Sequence, residues 1–494
     1  MDFLSQIALG FEVAFSLKSL IFAFIGVTLG TFVGVLPGIG PIATISILLP
    51  ITFHTDPTSS IIMLAGIYYG AQYGGSTASI LLNLPGTPTS VVTCLDGYPM
   101  AKQGRAGVAL FITTVASFVG SMLGIVALVG FALPLATVAL KFGAPEYFAL
   151  VFVGLLAAAL MGSRSRLGAV AMVAVGVLLG IVGTDINTGV QRFTFGFAEL
   201  YDGISIVAIS MGLFGIAEII SNAGRRTTGE FKPSDITLRS LIPTRDDVKR
   251  STGPTLRGSA IGMGFGVLPG TGPAISSFLS YALEKRISRT PERFGKGAVE
   301  GIAAPEAANN AATQAGFIPT LTLGIPGDVV MAIILGALLI HGITPGPGLI
   351  IEHPDLFWGV IISFLVGNIM LMVLNLPLIG IWVRILTIPY RILYPVMIAL
   401  VCIGVYSINY AVFDMAMIVV FGLAGYVMLL LRLEPAPLLL GFILGPMIEE
   451  NFRRSMILFR GDLTLFLYRP TVVVLLVLML VLISYSAYST VRAK

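Results

Sequence analysis

The chain has 494 residues, of which 56% are hydrophobic and 11% are charged, and its formal net charge is +4. Soluble proteins carry about 25% charged residues, so this composition excludes a soluble chain and predicts an all-α polytopic membrane protein, in which helices satisfy their own backbone hydrogen bonds. The 57 glycines and 28 prolines are many for such a protein. They predict irregular backbone that lines a cavity or is buried in protein.

Motifs of enzymes and metal sites are absent from the sequence. Cys94 and Cys402 form no CxxC motif or Cys/His cluster, which argues against a disulfide framework and a zinc site. The chain also lacks HExxH, GxSxG and GxxxxGK[ST], which are typical of metalloproteases, hydrolases and P-loop ATPases. We therefore predict that the protein is not an enzyme and holds no cofactor.

Apolar stretches long enough to cross a bilayer, at about 20 residues each, divide into two groups. In chain order they are 106–138, 142–161, 167–184, 202–221, 357–383, 392–412, 415–431 and 469–489. A polar stretch with eight basic residues, 222–257, separates the groups. Because Lys and Arg concentrate in cytoplasmic loops, we interpret 1–221 as a first membrane repeat, 222–257 as a basic cytoplasmic linker, and 258–494 as a second repeat.

Internal repetition supports this division. Residues 34–41 read GVLPGIGP and residues 266–273 read GVLPGTGP, which is seven identities in eight at an offset of 232. LPGTP at 84–88 corresponds to IPGDV at 325–329, at an offset of 241. Duplicated halves with Gly/Pro-interrupted apolar segments are typical of secondary transporters, whose binding sites lie at such breaks.

The flanking charges predict that the repeats have opposite orientations. The second PGxGP motif stands between two apolar arms of about eleven residues, 258–268 and 274–284, each about 16 Å long at 1.5 Å per residue. That length predicts a re-entrant hairpin, and basic residues flank it on both sides. The first hairpin has Lys18 alone on one side and no Lys or Arg on the other. We therefore expect inverted-topology repeats.

A PGxGP motif breaks a helix and leaves unpaired N–H groups at the start of the next one. These N–H groups carry partial positive charge, so two such tips that meet near the membrane midplane could bind an anion without Lys or Arg. The alternative is a packing kink, which the duplication disfavours.

The second pair of breaks follows polar helix faces. Glu306, Asn309, Asn310 and Thr313 share one face at helical spacing, and such a face in a membrane indicates ligand contact or an amide-bonded helix interface. Asp328 follows Pro326 and Gly327; it is either a helix N-cap or a ligand for Na⁺ or a proton.

The predicted substrate-binding residues are those of the breaks and polar faces: Gly38, Gly40, Pro41, Thr44, Ser76, Thr77, Asn83, Gly86, Thr87, Gly270, Thr271, Gly272, Asn309, Asn310 and Thr313. The candidate cation ligands are Gly38, Asn83, Gly270, Asn310, Gly327 and Asp328.

Three long segments carry a family resemblance. The paired GVLPGxGP motifs, YYGAQYGGSTASILLNLPGTP (68–88) and GIAAPEAANNAATQAGFIPTLTLGIPGD (301–328) resemble the large membrane subunit of tripartite tricarboxylate transporters, and the similarity covers essentially the whole chain. The resemblance implies a bacterial inner-membrane secondary transporter that imports citrate or similar carboxylates with an ion gradient, usually Na⁺. Its partners would be a separate small four-span membrane subunit and a periplasmic binding protein. Kinship with elevator-type carriers would make the hairpins and broken helices a mobile transport domain.

Charge at the predicted site agrees with this resemblance in one respect. No Lys or Arg occurs within 34–88 or 297–328, so helix N-termini, hydroxyl and amide groups and bound cations remain to hold a carboxylate. Lys102 and Arg105 are the nearest basic residues and could form the rim of an access path. The alternative functions are a stand-alone organic-anion permease and a channel.

Overall fold

The computed structural model describes residues 3–36, 40–161, 166–185, 188–222, 238–268, 272–386, 395, 397–399, 401–403, 406 and 411–492. The helices of the first half are α1 (Phe3–Ala14), α2 (Leu17–Val35), α3 (Pro41–Thr52), α4 (Pro57–Leu82), α5 (Val91–Met100), α6 (Ala106–Ala139), α7 (Ala144–Met161), α8 (Arg166–Gly180), α9 (Ile206–Ser210) and α10 (Ala217–Asn222). A short antiparallel pair, β1 (Gly183–Thr184) and β2 (Gln191–Arg192), follows α8.

The helices of the second half are α11 (Arg245–Gly266), α12 (Gly272–Ile287), α13 (Glu300–Ala315), α14 (Phe317–Leu323), α15 (Val329–Ile340), α16 (Leu349–Glu352), α17 (Pro354–Asn375), α18 (Ile379–Ile385), α19 (Val412–Leu430), α20 (Pro435–Leu458) and α21 (Pro470–Arg492). Short 3₁₀ segments include Pro88–Ser90, which precedes α5, and Leu238–Leu241, which precedes α11.

Several of these elements can cross a membrane. Within the described ranges, four helical stretches are long and apolar enough by themselves, namely Leu17–Val35, Pro88–Ala139, Pro354–Asn375 and Val412–Leu430. Shorter apolar helices occupy the predicted spans at 142–161, 167–184, 202–221 and 469–489. The predicted span at 392–412 lies largely outside the described residues. The chain is thus an all-α, multi-pass membrane protein.

The start of α11 differs from the sequence prediction. The predicted arm of eleven residues begins at 258, but α11 begins at Arg245, inside the segment interpreted as a linker. The physical reason is a capping box: the Thr244 hydroxyl accepts from the Asp247 N–H at 3.2 Å, and the Asp247 carboxylate accepts from the Thr244 N–H at 3.1 Å. Burial alone would raise the pKa of Asp247, but hydrogen bonds from Thr244 and Arg105 outweigh it and lower that pKa.

The two halves use the same glycine contacts at the offsets found in the sequence. A Cβ added at Gly26, Gly30 or Gly34 of α2 would come within 2.4 Å of a backbone carbonyl of α4, namely that of Met63, Ile67 or Ala71. A Cβ at Gly258, Gly262 or Gly266 of α11 would lie within 2.6 Å of the carbonyl of Ala304, Ala308 or Ala312 of α13. The glycines of α2 and α11 are related by 232 residues, the offset of the PGxGP motifs. The residues of α4 and α13 that they contact are related by 241 residues, the offset of the second breaks. Close packing through small residues therefore seats α2 on α4 and α11 on α13 in the same manner.

The helix ends at the second breaks also correspond. Helix α4 ends at Asn83, with φ 56° and ψ 28°, and α14 ends at Gly324, with φ 70° and ψ 21°. Both are left-handed C-caps, and the offset of the second breaks relates one to the other. One difference is that α4 is continuous, whereas the second half divides into α13 and α14 around Gly316. Pro319 explains the division, because it has no N–H to donate to the carbonyl four residues earlier.

Helices α7, α8, α20 and α21 form a second group. A Cβ at Gly176 or Gly180 of α8 would lie 2.0 Å or 2.4 Å from a carbonyl of α20, so these helices also pack through glycine. Two ion pairs join the β1–β2 segment to α20: Arg192 contacts Glu449 at 2.7 Å, and Arg453 contacts Asp185 at 2.8 Å.

Candidate functional site

A cavity of about 400 Å³ lies where three helix starts meet a 3₁₀ turn. The starts of α3, α12 and α15, the Pro88–Ser90 turn, the middle of α4 and the first turns of α20 supply its walls. The lining residues are Pro41, Ile42, Tyr68, Gln72, Thr87, Pro88, Thr89, Gly272, Pro273, Ala274, Ile275, Phe278, Asp328, Val329, Val330, Glu434, Ala436, Pro437 and Leu440. All four predicted breaks therefore contribute to one cavity.

The two PGxGP tips meet the cavity through matching helix starts. Helix α3 has Pro41 in its first turn, and its N-cap residue Gly40 has no side chain that could cap it, so the N–H groups that follow Pro41 can bind an anion. The Thr44 hydroxyl donates to the Gly40 carbonyl at 3.2 Å, and the Ser276 hydroxyl donates to the Gly272 carbonyl at 3.2 Å. These two pairs correspond at the offset of the PGxGP motifs. Gly272 has φ +57°, a left-handed conformation that a side chain would strain.

The second breaks enter the cavity with different caps. In the first half, Thr87 forms a capping box with Ser90, whose hydroxyl accepts from the Thr87 N–H at 3.1 Å. In the second half, the Asp328 carboxylate accepts from the Met331 N–H at 2.9 Å and caps α15. The N-cap interpretation of Asp328 is therefore observed in the structure. A carboxylate that caps a helix has part of its charge compensated by the helix dipole.

Hydrogen bonds cross between the halves at equivalent positions. Tyr68 of α4 donates to the Asp328 carboxylate in the second half. At the equivalent position of the second half, Asn309 of α13 donates to the Gln72 side chain at 3.3 Å, and Gln72 also accepts from Thr89 at 2.7 Å. Thr89 in turn lies 2.8 Å from the Thr87 hydroxyl. The Asp328 cap is thus bonded to α4 of the first half, and the Thr87 cap is linked through Thr89 and Gln72 to α13 of the second half.

Among the described residues that line the cavity there is no Lys or Arg, and the carboxyl groups are those of Asp328 and Glu434. The basic residues predicted for an access rim are engaged elsewhere: Arg105 pairs with Asp247 at 2.5 Å, and Lys102 lies 4.7 Å from the centre of the Tyr98 ring. A carboxylate in this cavity would therefore be held by N–H and hydroxyl groups.

Comparison with known proteins agrees with this arrangement. A sequence profile described as the tripartite tricarboxylate transporter TctA family matches residues 20–440, which contain all four breaks. The chain belongs to the tripartite tricarboxylate transporter TctA family. The resemblance to the large membrane subunit of these transporters is confirmed.

Two relatives of this TctA-family chain come from Agrobacterium vitis. One is described as an uncharacterized 52.8 kDa protein in the TAR-I ttuC′ 3′ region; it is 51% identical over the whole of this chain and 98% of its own length. The other, an uncharacterized protein in the TAR-II ttuC′ 3′ region, is 54% identical over 46% of this chain and 95% of its own length. No solved structure matches the chain.

The predicted site residues of this TctA-family chain fall into four groups. Pro41, Thr87, Gly272 and Asp328 line the cavity. Others lie behind its wall or beside the tips: Gly40, Thr44, Ser76, Thr77, Gly86, Asn309, Asn310, Thr313 and Gly327, all of them buried except Gly40, which is partly exposed. Asn83 is exposed at the end of α4. Gly38, Gly270 and Thr271 lie outside the described residues.

Further residues at the site are not among those predicted from the sequence. Tyr68, Thr89 and Phe278 line the cavity, and Glu218 of α10 accepts from the Gly40 N–H at 3.1 Å. The offset of the second breaks points to Tyr68, because it is the counterpart of Asn309. No local pattern identifies Glu218, since it lies far from Gly40 along the chain.

Proposed function

We propose that the protein is the permease subunit of a binding-protein-dependent secondary transporter that imports tricarboxylates or related carboxylates, coupled to a cation gradient, with Na⁺ as the coupling ion. The observation that carries this proposal is the cavity in which both tips and both second breaks meet. Exposed helix-start N–H groups, together with Thr87, Thr89 and Gln72, suit a carboxylate. Several such donors spaced around one cavity suit a ligand with more than one carboxylate.

The transport cycle uses two inverted-topology repeats with re-entrant hairpins at α2–α3 and α11–α12. The basic residues after α12 and those at the start of α11 support a cytoplasmic opening of the second hairpin, whereas Lys18 alone flanks the first. The α2–α4 and α11–α13 pairs, which repeat the same glycine contacts, form the transport domain. This domain moves in an elevator-type cycle against α7–α8 and α20–α21.

Cation coupling follows from the charges of the cavity. Asp328 lies in its wall, and none of the described lining residues is Lys or Arg, so a substrate carboxylate beside Asp328 would be repelled unless a cation binds with it. Asp328, and the backbone or side-chain oxygens of Gly38, Asn83, Gly270 and Gly327, are the proposed ligands of a cation in the cavity. Asn310, the sixth cation ligand predicted from the sequence, lies behind the cavity wall on α13. Unwound backbone at broken transporter helices commonly coordinates Na⁺.

The chain works in the bacterial inner membrane with a small four-span membrane subunit and a periplasmic carboxylate-binding protein. Family membership supports this assembly, since the family is one of tripartite transporters. The second candidate is a stand-alone organic-anion permease or channel, which would move substrate without the binding protein.

The test is uptake by the complete complex in liposomes. Labelled citrate uptake is competed with mono-, di- and tricarboxylates, and Na⁺ is varied with the proton gradient collapsed. Gln72→Leu removes the acceptor shared by Thr89 and Asn309 and should raise the KM for the carboxylate about tenfold, corresponding to about 1.4 kcal/mol. Gln103→Leu, the same change at an exposed residue, is the matched control.

Three results would contradict the proposal. Gln72→Leu uptake with the KM of the unmodified complex would place the substrate elsewhere. Equal uptake with and without the binding protein would favour the stand-alone permease. Lack of competition by any di- or tricarboxylate would exclude the proposed substrate class.

A further inference from the structure

A second polar cluster lies outside the cavity, between α5, α6 and α13. Its centre is Glu306 on α13, whose side chain is 1% exposed. Thr93 of α5 donates to one carboxylate oxygen, and Ser117 of α6 donates to the other at 3.3 Å. Glu306 is not among the cavity-lining residues, and the proposed carboxylate site does not use it.

The charge of Glu306 lacks a basic partner. Of the described residues, no Lys, Arg or His forms an ion pair with it, whereas Glu300 at the start of the same helix faces Arg250 at 3.5 Å and Arg293 at 3.8 Å. Hydroxyl donors alone compensate a buried carboxylate poorly, and the cost is larger at membrane depth. Glu306 lies about 9 Å along the helix from Glu300, at 1.5 Å per residue, and so well inside the apolar region.

Neighbouring acceptor oxygens also lack donors among the residues that the structure describes. Asn310 is one turn further along α13 and fully buried; its Nδ2 donates back to the Glu306 carbonyl at 3.0 Å, while its Oδ1 has no hydrogen-bond partner. The Oδ1 atom of Asn309 is likewise buried without a donor. A carboxylate, hydroxyls and an unpaired amide oxygen form a set of hard oxygen ligands. What this set lacks is a positive charge.

We infer that the Glu306 cluster binds a monovalent cation, Na⁺ or H⁺, that is transported together with the carboxylate, at a site separate from the cavity. A bound cation neutralises Glu306 and supplies the missing partner for its neighbouring oxygens. Glu306 acts electrostatically on two titratable groups of adjacent helices, Tyr73 of α4 and Cys94 of α5. Both are uncharged at neutral pH, so the carboxylate is the group that responds to the cation.

The fold connects this cluster to the cavity. Asn309 lies three residues after Glu306 on α13 and donates to Gln72, which lines the cavity wall. Occupancy at Glu306 changes the packing of α13 against α5 and α6, and Asn309 carries that change to the carboxylate site. The inference rests on the proposed function, because it assigns a coupled ion to that transport reaction.

The test measures the limiting accumulation ratio of labelled citrate in liposomes that contain the complete complex, with the membrane potential clamped at zero. Under a tenfold gradient of the coupled ion, each monovalent cation that is transported with the substrate multiplies this ratio by about ten. Glu306→Gln, which keeps the shape and removes the charge, should lower the ratio about tenfold, while substrate exchange remains measurable. Imposing a Na⁺ gradient and a pH gradient separately identifies which ion is lost.

Two further variants test whether Glu306 and its hydroxyl neighbours bind the cation. Glu300→Gln is the matched control on the same helix and should leave the ratio unchanged. Ser117→Ala retains the carboxylate and removes one oxygen ligand, so the cation concentration for half-maximal uptake should rise about fivefold at an unchanged limiting ratio. This variant decides the question if Glu306→Gln fails to insert.

Different results would contradict the Glu306 cation site and the proposed transport function. Wild-type ratios in Glu306→Gln under both gradients, or an unchanged half-saturating concentration in Ser117→Ala, would overturn the inference and leave Glu306 as a purely structural residue. Absence of citrate exchange in the unmodified complex would instead refute the proposed function.

Discussion

Replacement of Gly86 by alanine should disrupt the site, although the side chain that it adds is one methyl group. Gly86 belongs to LPGTP, the second break of the first half, and precedes the cavity residue Thr87. A Cβ there would lie 1.9 Å from the Gly34 carbonyl oxygen and 2.8 Å from the Gly75 Cα. Both contacts are backbone atoms, so no side-chain rotation can relieve them.

The symmetry-related position provides a control of the same chemistry. Gly327 corresponds to Gly86 at the offset of the second breaks, and its neighbours Gly266 and Gly316 correspond to Gly34 and Gly75. A Cβ at Gly327 would meet the Gly316 Cα at 3.4 Å and the Gly266 carbonyl oxygen at 3.6 Å. These are ordinary van der Waals distances. Alanine should therefore fit at Gly327 but not at Gly86.

The magnitude follows from the distances. Lengthening the Gly86 contact from 1.9 Å to an ordinary 3.4 Å requires the break and the end of α2 to separate by about 1.5 Å. Overpacking of a tight core costs about 1–3 kcal/mol, and we expect the upper end, about 3 kcal/mol, because backbone meets backbone. A displacement of this size also moves Thr87 from its capping geometry, and misplacement of about 1 Å can lower a rate about 100-fold.

The assay combines thermal unfolding of the purified protein with citrate uptake by the reconstituted complex. Gly86→Ala should lower the Tm and reduce uptake to background, and Gly327→Ala should change the Tm only slightly. Gly130→Ala, at an exposed helical site with no atom within 4 Å, should be neutral or mildly stabilising. Equal stability and uptake in Gly86→Ala and Gly327→Ala would refute the packing described at the first break.

Three substitutions at two further residues test the caps and the contact between the halves. Asp328→Ala removes the acceptor for the Met331 N–H and should destabilise α15 by about 1 kcal/mol. Asp328→Asn keeps that acceptor, so the variant should have the Tm of the wild type but need a higher Na⁺ concentration for half-maximal uptake. An unchanged Na⁺ dependence in Asp328→Asn would show that Asp328 only caps the helix. Asp96 is fully buried and accepts from the N–H groups of Gly295, Gly297 and Ala298 at 2.8–2.9 Å, so Asp96→Ala should lower the free energy of unfolding by about 3 kcal/mol. A Tm equal to that of the wild type, measured by thermal unfolding, would contradict this role for Asp96.

Much of the site's framework could be predicted from the sequence, because the decisive features are local. A proline removes a backbone donor and a glycine permits left-handed backbone wherever they occur. The breaks before Pro41 and Gly272 and at 84–87 and 324–328 were therefore predictable. The cap at Asp328 was one of two interpretations that the sequence left open. The two sequence offsets also relate the glycine contacts of α2 to those of α11, although identity between the halves outside the motifs is low.

Other features depend on approach between distant segments and have no local signal. The start of α11 at Arg245 depends on a capping box in a stretch that composition alone presents as a polar linker. The bond between Tyr68 and Asp328 joins two different halves of the chain, and the contact of Glu218 with Gly40 joins the two ends of the first half. Neither pairing could be deduced, because helical periodicity indicates which face a residue occupies but not which helix that face meets.

The sequence by itself determined the chemical character of this protein: a membrane chain that breaks four helices and supplies no Lys or Arg beside the breaks. Only the tertiary structure decided that the four breaks share one cavity, and that Glu306 lies outside it in a cluster of its own. The physical reason is that backbone breaks arise from covalent constraints within a few residues. A cavity and a buried charge cluster arise from packing between helices that are far apart in the chain.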